Sequence, residues 1–310
     1  NDGTLWAWGR GDDGDLGQND TTDRSSPIQV GTDTTWNRTI LAAANNVLAT
    51  KTDGTLWGWG GNSYSGPLGL NNKDKYSSPT QIPGTWGTDE YSVGGYNYFT
   101  GAINSAGKLY TWGANNDGNL GHNNKTKYSS PVQVGTNTTW SKIQTSGSYH
   151  MGGIKTDGTL WQWGKGGSGA LGQNNQTDYS SPKQVGTETT WSMIAGGYQS
   201  SLGVKTDGTL WAWGDNDQGT LGHNNETDYS SPKQVGSGTT WNRVLSAGLQ
   251  VYATKTDGTS WSWGNNEQGR LGHNQAEAQL GALSSPTQIP GTMWSTLNVI
   301  HQGGLGLKVE

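Results

Sequence analysis

One phrase, Asp-Gly-Thr-Leu-Trp-x-Trp-Gly, opens the chain at Asp2–Gly9 and returns at Asp53–Gly60, Asp157–Gly164 and Asp207–Gly214, with degenerate copies at Ala106–Gly113 and Asp257–Gly264. Its second tryptophan falls at positions 8, 59, 112, 163, 213 and 263. A period of about 50 residues held six times restricts the chain to a repeat architecture, in which each unit buries an apolar face against its neighbours. The whole of 1–310 is therefore one domain of six units.

Each unit continues in the same order. A Gly-x-Leu-Gly follows, written Gly66-Pro67-Leu68-Gly69 in the second unit, and then Ser-Ser-Pro. A stretch containing Val or Ile comes next, then a tryptophan at 36, 86, 140, 191, 241 or 294, and a Gly/Ala-rich run that leads back to Asp-Gly. Thr-Leu-Trp-Ala-Trp is β-favouring and apolar on both faces, as a strand between two sheets must be. Asp-Gly between apolar runs predicts a tight hairpin with positive φ at both central residues. Proline in Ser-Ser-Pro suits a strand start, where no ladder needs its missing N–H. No segment holds a 3.6-residue period. Four short strands in about 50 residues make a propeller blade. The fold expected is an all-β, six-bladed β-propeller of four-stranded antiparallel blades. Gly306–Glu310 and Asn1–Trp6 read as two halves of one hairpin, so pairing of the terminal strands is expected to close the ring and remove its free edges.

Composition fits thin cores: 30% of residues are hydrophobic, and 17 are Trp against a single Phe, beside 51 Gly. Indoles packed against glycine supply the burial that few aliphatic residues could. A net charge of −5 without any Lys/Arg run argues against nucleic acid, whose phosphates need a basic stripe. No apolar stretch approaches the ~20 residues of a membrane span. Cysteine is absent, which excludes disulfides and thiolate metal sites and is compatible with the cytosol, bacterial export or a virus particle. The start at Asn1, in mid-motif and without Met, is what a processed form or a fragment would show.

The Gly-rich segment, Asp-Gly hairpin, Trp-Gly and following Gly-x-Leu-Gly, such as Leu120-Gly121 and Leu171-Gly172, resemble the RCC1 repeat family over essentially the whole chain. Familiar members have seven blades and this chain has six repeats. The Ser-Ser-Pro-x-Gln-Val-Gly-Thr wording is most similar to bacterial and bacteriophage members. The resemblance implies a non-enzymatic protein that presents loops of a rigid ring to a protein partner. Some members are guanine-nucleotide exchange factors that use a wedge inserted in one blade, and one bacterial branch inhibits β-lactamases. The insertion nearest to such a wedge is about four extra residues around Gln275–Leu283.

Positions that vary between near-identical repeats are those the fold leaves free. Two stretches vary most: the loop after Trp-Gly, and the residues before the Gly/Ala-rich strand. The candidate partner-contact residues are Tyr96, Tyr98, Phe99, Tyr149, His150, Gln199, Gln250 and Asn46, with Phe99 beside Tyr96 and Tyr98 as the leading patch, since aromatic anchors dominate interfaces. His122, His223 and His273 share one repeat position, and neighbouring sheets ~10 Å apart keep them from sharing an ion, so a local hydrogen bond is expected. Asp12-Asp13-Gly14-Asp15 and the Asp215–Gly219 loop lack the bidentate Glu of a calcium loop and read as turns. Neither a catalytic constellation nor a cofactor motif is visible. The leading reading is a non-enzymatic recognition or structural module, extracellular, on a virion or on a bacterial surface, with a protein partner. A carbohydrate-binding lectin and an inhibitor of a secreted enzyme are the alternatives.

Overall fold

The computed structural model describes residues 2–42, 45–96, 98–146, 149–274, 281–291, 294–300 and 303–308. Within them the chain is built from strands and their connecting loops, with two single 3-10 turns as the helical elements. The first pair is β1 (Trp6–Gly9) and β2 (Arg24–Gln29). Five four-stranded blades follow. The first is β3 (Trp36–Ala42), β4 (Asn46–Lys51), β5 (Leu56–Gly60) and β6 (Tyr76–Ile82). The second is β7 (Val93–Tyr96), β8 (Phe99–Ile103), β9 (Leu109–Gly113) and β10 (Tyr128–Gln133). The third is β11 (Trp140–Ser146), β12 (His150–Lys155), β13 (Leu160–Gly164) and β14 (Tyr179–Gln184). The fourth is β15 (Trp191–Gly196), β16 (Ser200–Lys205), β17 (Leu210–Gly214) and β18 (Tyr229–Gln234). The fifth is β19 (Trp241–Ala247), β20 (Gln250–Lys255), β21 (Ser260–Gly264) and β22 (Leu283–Gln288). A last antiparallel pair, β23 (Trp294–Ile300) and β24 (Gly303–Lys308), completes the series.

Every blade is an antiparallel meander. The blades meet through their first strands, with β3 against β7, β7 against β11, and onward through β15, β19 and β23. Those strands surround the axis. The two terminal pairs are the four strands a sixth blade would use, and among the described residues they form separate two-stranded sheets. Residues 1, 309 and 310, where the joining hairpin was expected, lie outside the described residues. The same is true of 275–280, most of the Gln275–Leu283 insertion.

One contact recurs at the blade boundaries. Trp163 of β13 slides beneath the Leu120-Gly121 loop of the preceding blade and donates Nε1–H to the Asn119 carbonyl at 2.9 Å. A Cβ on Gly121, whose φ is +78°, would lie 2.9 Å from that indole nitrogen. Only glycine therefore admits the ring. Trp59, Trp112 and Trp263 repeat the bond to the carbonyls of Asp15, Pro67 and Thr220. A second indole meets the first edge-on, as Trp140 meets Trp163 at 5.8 Å and 65°. The Lys155 ammonium stands 3.8 Å from the centroid of a third ring, Trp161. The terminal strand is different: Trp6 and Trp8 are 49% and 61% exposed, and a Cβ on Gly272 would meet nothing nearer than Ile289 at 3.9 Å.

A backbone stitch reinforces each boundary. Asn123 takes a left-handed φ of 57°, a region asparagine tolerates, and donates its N–H to Ser180 O of the next blade at 2.6 Å. Asn71, Asn174 and Asn224 do the same to Ser129, Ser230 and Ser284. The Asp-Gly turns correct the expected geometry. Positive φ occurs at Gly54 and not at Asp53. Gly54 N–H bonds Lys51 O, and the Asp53 carboxylate accepts the Thr55 N–H at 2.9 Å and its hydroxyl at 2.7 Å. The side chain caps the turn, and Asp53 does not take a positive φ.

One blade departs from the repeat. Trp86 pairs with Asn104, and Val93 with Ala102, as Trp140 pairs with Lys155 and Ile143 with Gly153. Six residues therefore occupy a span that holds two in the next blade. The extra residues bulge into the axial channel. Thr39 of β3 donates to the Thr88 carbonyl at 3.0 Å. Ile143 N–H of β11 bonds Tyr91 O at 2.9 Å. Glu90 forms an ion pair with Arg243 of β19, on the far side of the ring, and Tyr91 packs against the apolar cluster around Val244 and Met193. The loop plugs the channel and ties four blades together.

Trp213→Ala is expected to cost about 3–5 kcal/mol in urea unfolding, the range for a buried aromatic, and Gly121→Ala to lower the midpoint as well. Tyr91→Ala should cost about 1–3 kcal/mol and speed hydrogen exchange at the Ile143 amide, which measures release of the plug.

Candidate functional site

The loops after Trp-Gly and the turns before the Gly/Ala-rich strands emerge on one face, because β5, β9, β13 and β17 end where β4, β8, β12 and β16 begin. The candidate residues separate by alternation along the strand. Asn46, Phe99, His150 and Gln250 each stand opposite the glycine of Trp-Gly. All four are buried, with no more than 3% of their surface exposed. The expectation that they contact a partner is corrected: their side chains face between sheets. Phe99 belongs to the core with Ile143, Met151 and Trp163, and Tyr96 is half-buried against it.

The residues one position earlier are exposed or partly exposed. Tyr98 is 50% exposed and packs edge-on against Tyr64 of the neighbouring blade's loop, with ring centroids 5.8 Å apart. Tyr149 makes the same kind of pair with Tyr198, at 5.2 Å and 85°, and their hydroxyls are 2.9 Å apart. That bond holds the Tyr149 hydroxyl above the usual phenol range. Lys127 stands 4.0 Å from the Tyr64 centroid and Lys165 4.5 Å from that of Tyr149. Asn116 and Lys127 bond the Tyr64 hydroxyl and lower its pKa. Tyr64 has φ 78°, uncommon for a bulky residue and costly in backbone energy. Gln199 is half-buried beside this arc, and its carbonyl accepts the Asp215 N–H at 3.0 Å. Tyr64, Tyr198, Lys127 and Lys165 were not among the candidates. Tyr64 and Lys165 lie in the variable loop after Trp-Gly, and Tyr198 directly precedes the other variable stretch, which was the available signal; Lys127 lies in neither.

His150 has a different role. Ser201 donates its hydroxyl to Ala170 O at 3.0 Å, so its oxygen accepts from Gln162 Nε2 at 2.8 Å and from His150 Nε2 at 3.0 Å. Gln162 Oε1 accepts the indole N–H of Trp213 at 3.0 Å. At this boundary a buried side-chain network takes the place of the direct indole-to-carbonyl bond. Burial pushes His150 down to about 3.

Two of the three repeated histidines make the local bond expected of them: His122 Nε2 lies 2.9 Å from Thr111 Oγ1, and His273 Nε2 3.0 Å from Ser262 Oγ. His223 departs from the expectation, because Ala212 stands where the others have a hydroxyl and its Nε2 is buried without a hydrogen-bond partner. Asp215, Asp217 and Asp228 bring carboxylate oxygens within 4.8 Å of one another. Two of them cap turn amides, Asp228 that of Asn216 and Asp215 that of Asp217. Among the described residues no helix is long and apolar enough to cross a membrane.

His150 makes the fold acid-sensitive. The unfolded chain protonates it near the ordinary 6.5 and the folded chain near 3, so stability is complete above about pH 6.5 and falls as pH drops toward 3. The slope should approach about 1.4 kcal/mol per pH unit. In urea unfolding at pH 7, 5.5 and 4.5, His150→Gln should remove most of that slope.

Comparison with known proteins accords with this architecture. The family model described as RCC1-like domain matches residues 1–307. The ultraviolet-B receptor UVR8 of Arabidopsis thaliana is 31% identical over 186 residues, 59% of this chain and 42% of the receptor. The chain thus spans less than half the length of that relative. Two structures of yeast RCC1 (Prp20), one bound to Kap60 and one of the Saccharomyces cerevisiae protein studied for binding to Gsp1p and histones, superpose with a TM-score of 0.81 at 19% identity. Both cover 100% of this chain, and the chain covers 77% and 79% of theirs.

Proposed function

This chain belongs to the RCC1-like domain family, and from that premise we propose that it is a non-enzymatic protein-recognition module whose contact surface is the loop-bearing face. The observation that carries the reading is the pair of interlocked tyrosine contacts, Tyr64 with Tyr98 and Tyr149 with Tyr198, each built from two adjacent blades. Tyrosine loses little side-chain entropy on binding and offers both apolar surface and a hydroxyl, so it is favoured where proteins recognise proteins. Here the rings are held before any partner arrives, by stacking, by lysines above them and by the Tyr64 backbone. Preorganisation lowers the ordering cost of binding.

The fold relatives support a protein partner: one yeast structure is a complex with Kap60, and the other protein was studied with Gsp1p and histones. Those partners belong to that protein. The lectin alternative needs accessible indoles: ten tryptophans among the described residues are buried between sheets, and Trp6 and Trp8 of β1 are exposed. The virion or bacterial-surface setting suggested by the repeat wording draws no support from a plant receptor and a yeast protein.

A photo-crosslinking amino acid placed at Tyr98 or Tyr198 should trap a protein from extracts of the source cells, while one at Asp207, on the turns of the opposite face, should trap none. Adducts confined to position 207 would sink the assignment of the face.

A further inference from the structure

The loop-bearing face is divided electrostatically. The loop between β1 and β2 carries Asp12, Asp13, Asp15, Asp20 and Asp23 against Arg10 and Arg24. The loop between β17 and β18 carries Asp215, Asp217, Glu226 and Asp228 without a basic residue. Between these acidic sectors, the loops after β5, β9 and β13 hold Lys73, Lys75, Lys125, Lys127 and Lys165 against Asp74, Asp117 and Asp178. Lys75 is consumed by an ion pair with Asp13. Of the remaining lysines, Lys127 and Lys165 stand over the rings of Tyr64 and Tyr149, in a chain whose net charge is −5.

We infer that this sector docks an acidic protein segment, with apolar side chains seated on the Tyr64–Tyr98 and Tyr149–Tyr198 pairs and carboxylates facing Lys127 and Lys165. The inference rests on the reading that the loop-bearing face is the contact surface, and adds the chemistry of the partner. Lys127 and Lys165 stand over the rings of Tyr64 and Tyr149, so their charge sits beside the apolar anchor site at fixed distance. A carboxylate arriving there gains the ammonium and the tyrosine hydroxyls together. The flanking acidic loops repel the same segment if it lands one blade away. Attraction in the middle and repulsion at both sides fix the register and exclude wrong partners.

The test is a random peptide display library selected on the immobilised full chain. Enriched sequences are then synthesised and titrated by fluorescence anisotropy against the chain and its Y98S/Y198S and K127E/K165E variants. These remove surface groups, and an unchanged thermal unfolding midpoint separates lost binding from lost fold. Enriched peptides should place Asp or Glu around Leu or an aromatic residue. Each double variant should weaken them about tenfold or more, and binding should weaken as salt rises from about 50 to about 300 mM. Basic or neutral peptides that still depend on Tyr98 and Tyr198 would overturn the acidic partner and leave the face standing. So would a glycan array on which a neutral sugar binds through the same tyrosines while no acidic peptide does. Peptides indifferent to both double variants, or no enrichment at all, would overturn partner and face together.

Discussion

The structure depends on an indole entering a space that only a glycine can leave. At each described boundary a tryptophan from one sheet passes under the Leu-Gly loop of the sheet before it, and in four of them its N–H finds a backbone carbonyl there. The ring buries a large apolar area while its one polar atom is satisfied, which avoids the penalty of an unpaired buried donor. Because that loop is positioned by its own blade's strands, each blade holds the next. With few aliphatic residues, the chain obtains a continuous core from a single type of contact repeated around an axis. Where the cover is absent, at Trp6 and Trp8, the same residues stand exposed.

Rigidity of this kind determines where recognition can occur. The sheets are occupied by packing, and the axial channel is filled by the loop through Thr88–Tyr91, which reaches inner strands of three other blades. What remains is the rim. Loops there are anchored at both ends in β-strands and stitched by backbone bonds to the next blade, so side chains from adjacent blades meet at reproducible distances. The tyrosine pairs result from this: neither member of a pair could be placed by its own repeat alone.

The repeat, the four strands per unit and the blade count were legible because each is local or periodic. Asp-Gly, Trp-Gly and Ser-Ser-Pro each impose a backbone conformation over a few residues. The reasoning that repeat-to-repeat variation marks a free surface found Tyr98 and Tyr149, and it also chose Phe99, His150, Asn46 and Gln250, which are buried. Variation has two sources. A solvated residue drifts because little touches it. A core residue differs because its neighbours differ, as His150, Ser201 and Gln162 together replace what a carbonyl does elsewhere. One chain read linearly shows both as the same kind of substitution. The plug was missed for a related reason: extra residues after Trp86 are visible as length, while their direction is not.

By itself the amino-acid order determined the architecture, since period, turn chemistry and the alternation of large indoles with glycine act within a unit or between a unit and its successor. Tertiary structure decided what joins side chains of different repeats: which variable side chains face water, which tyrosines become partners, and that Glu90 reaches Arg243 across the axis. Such contacts depend on the angle between sheets and the radius of the ring. Those quantities arise only when all the blades pack together, and no single repeat carries them.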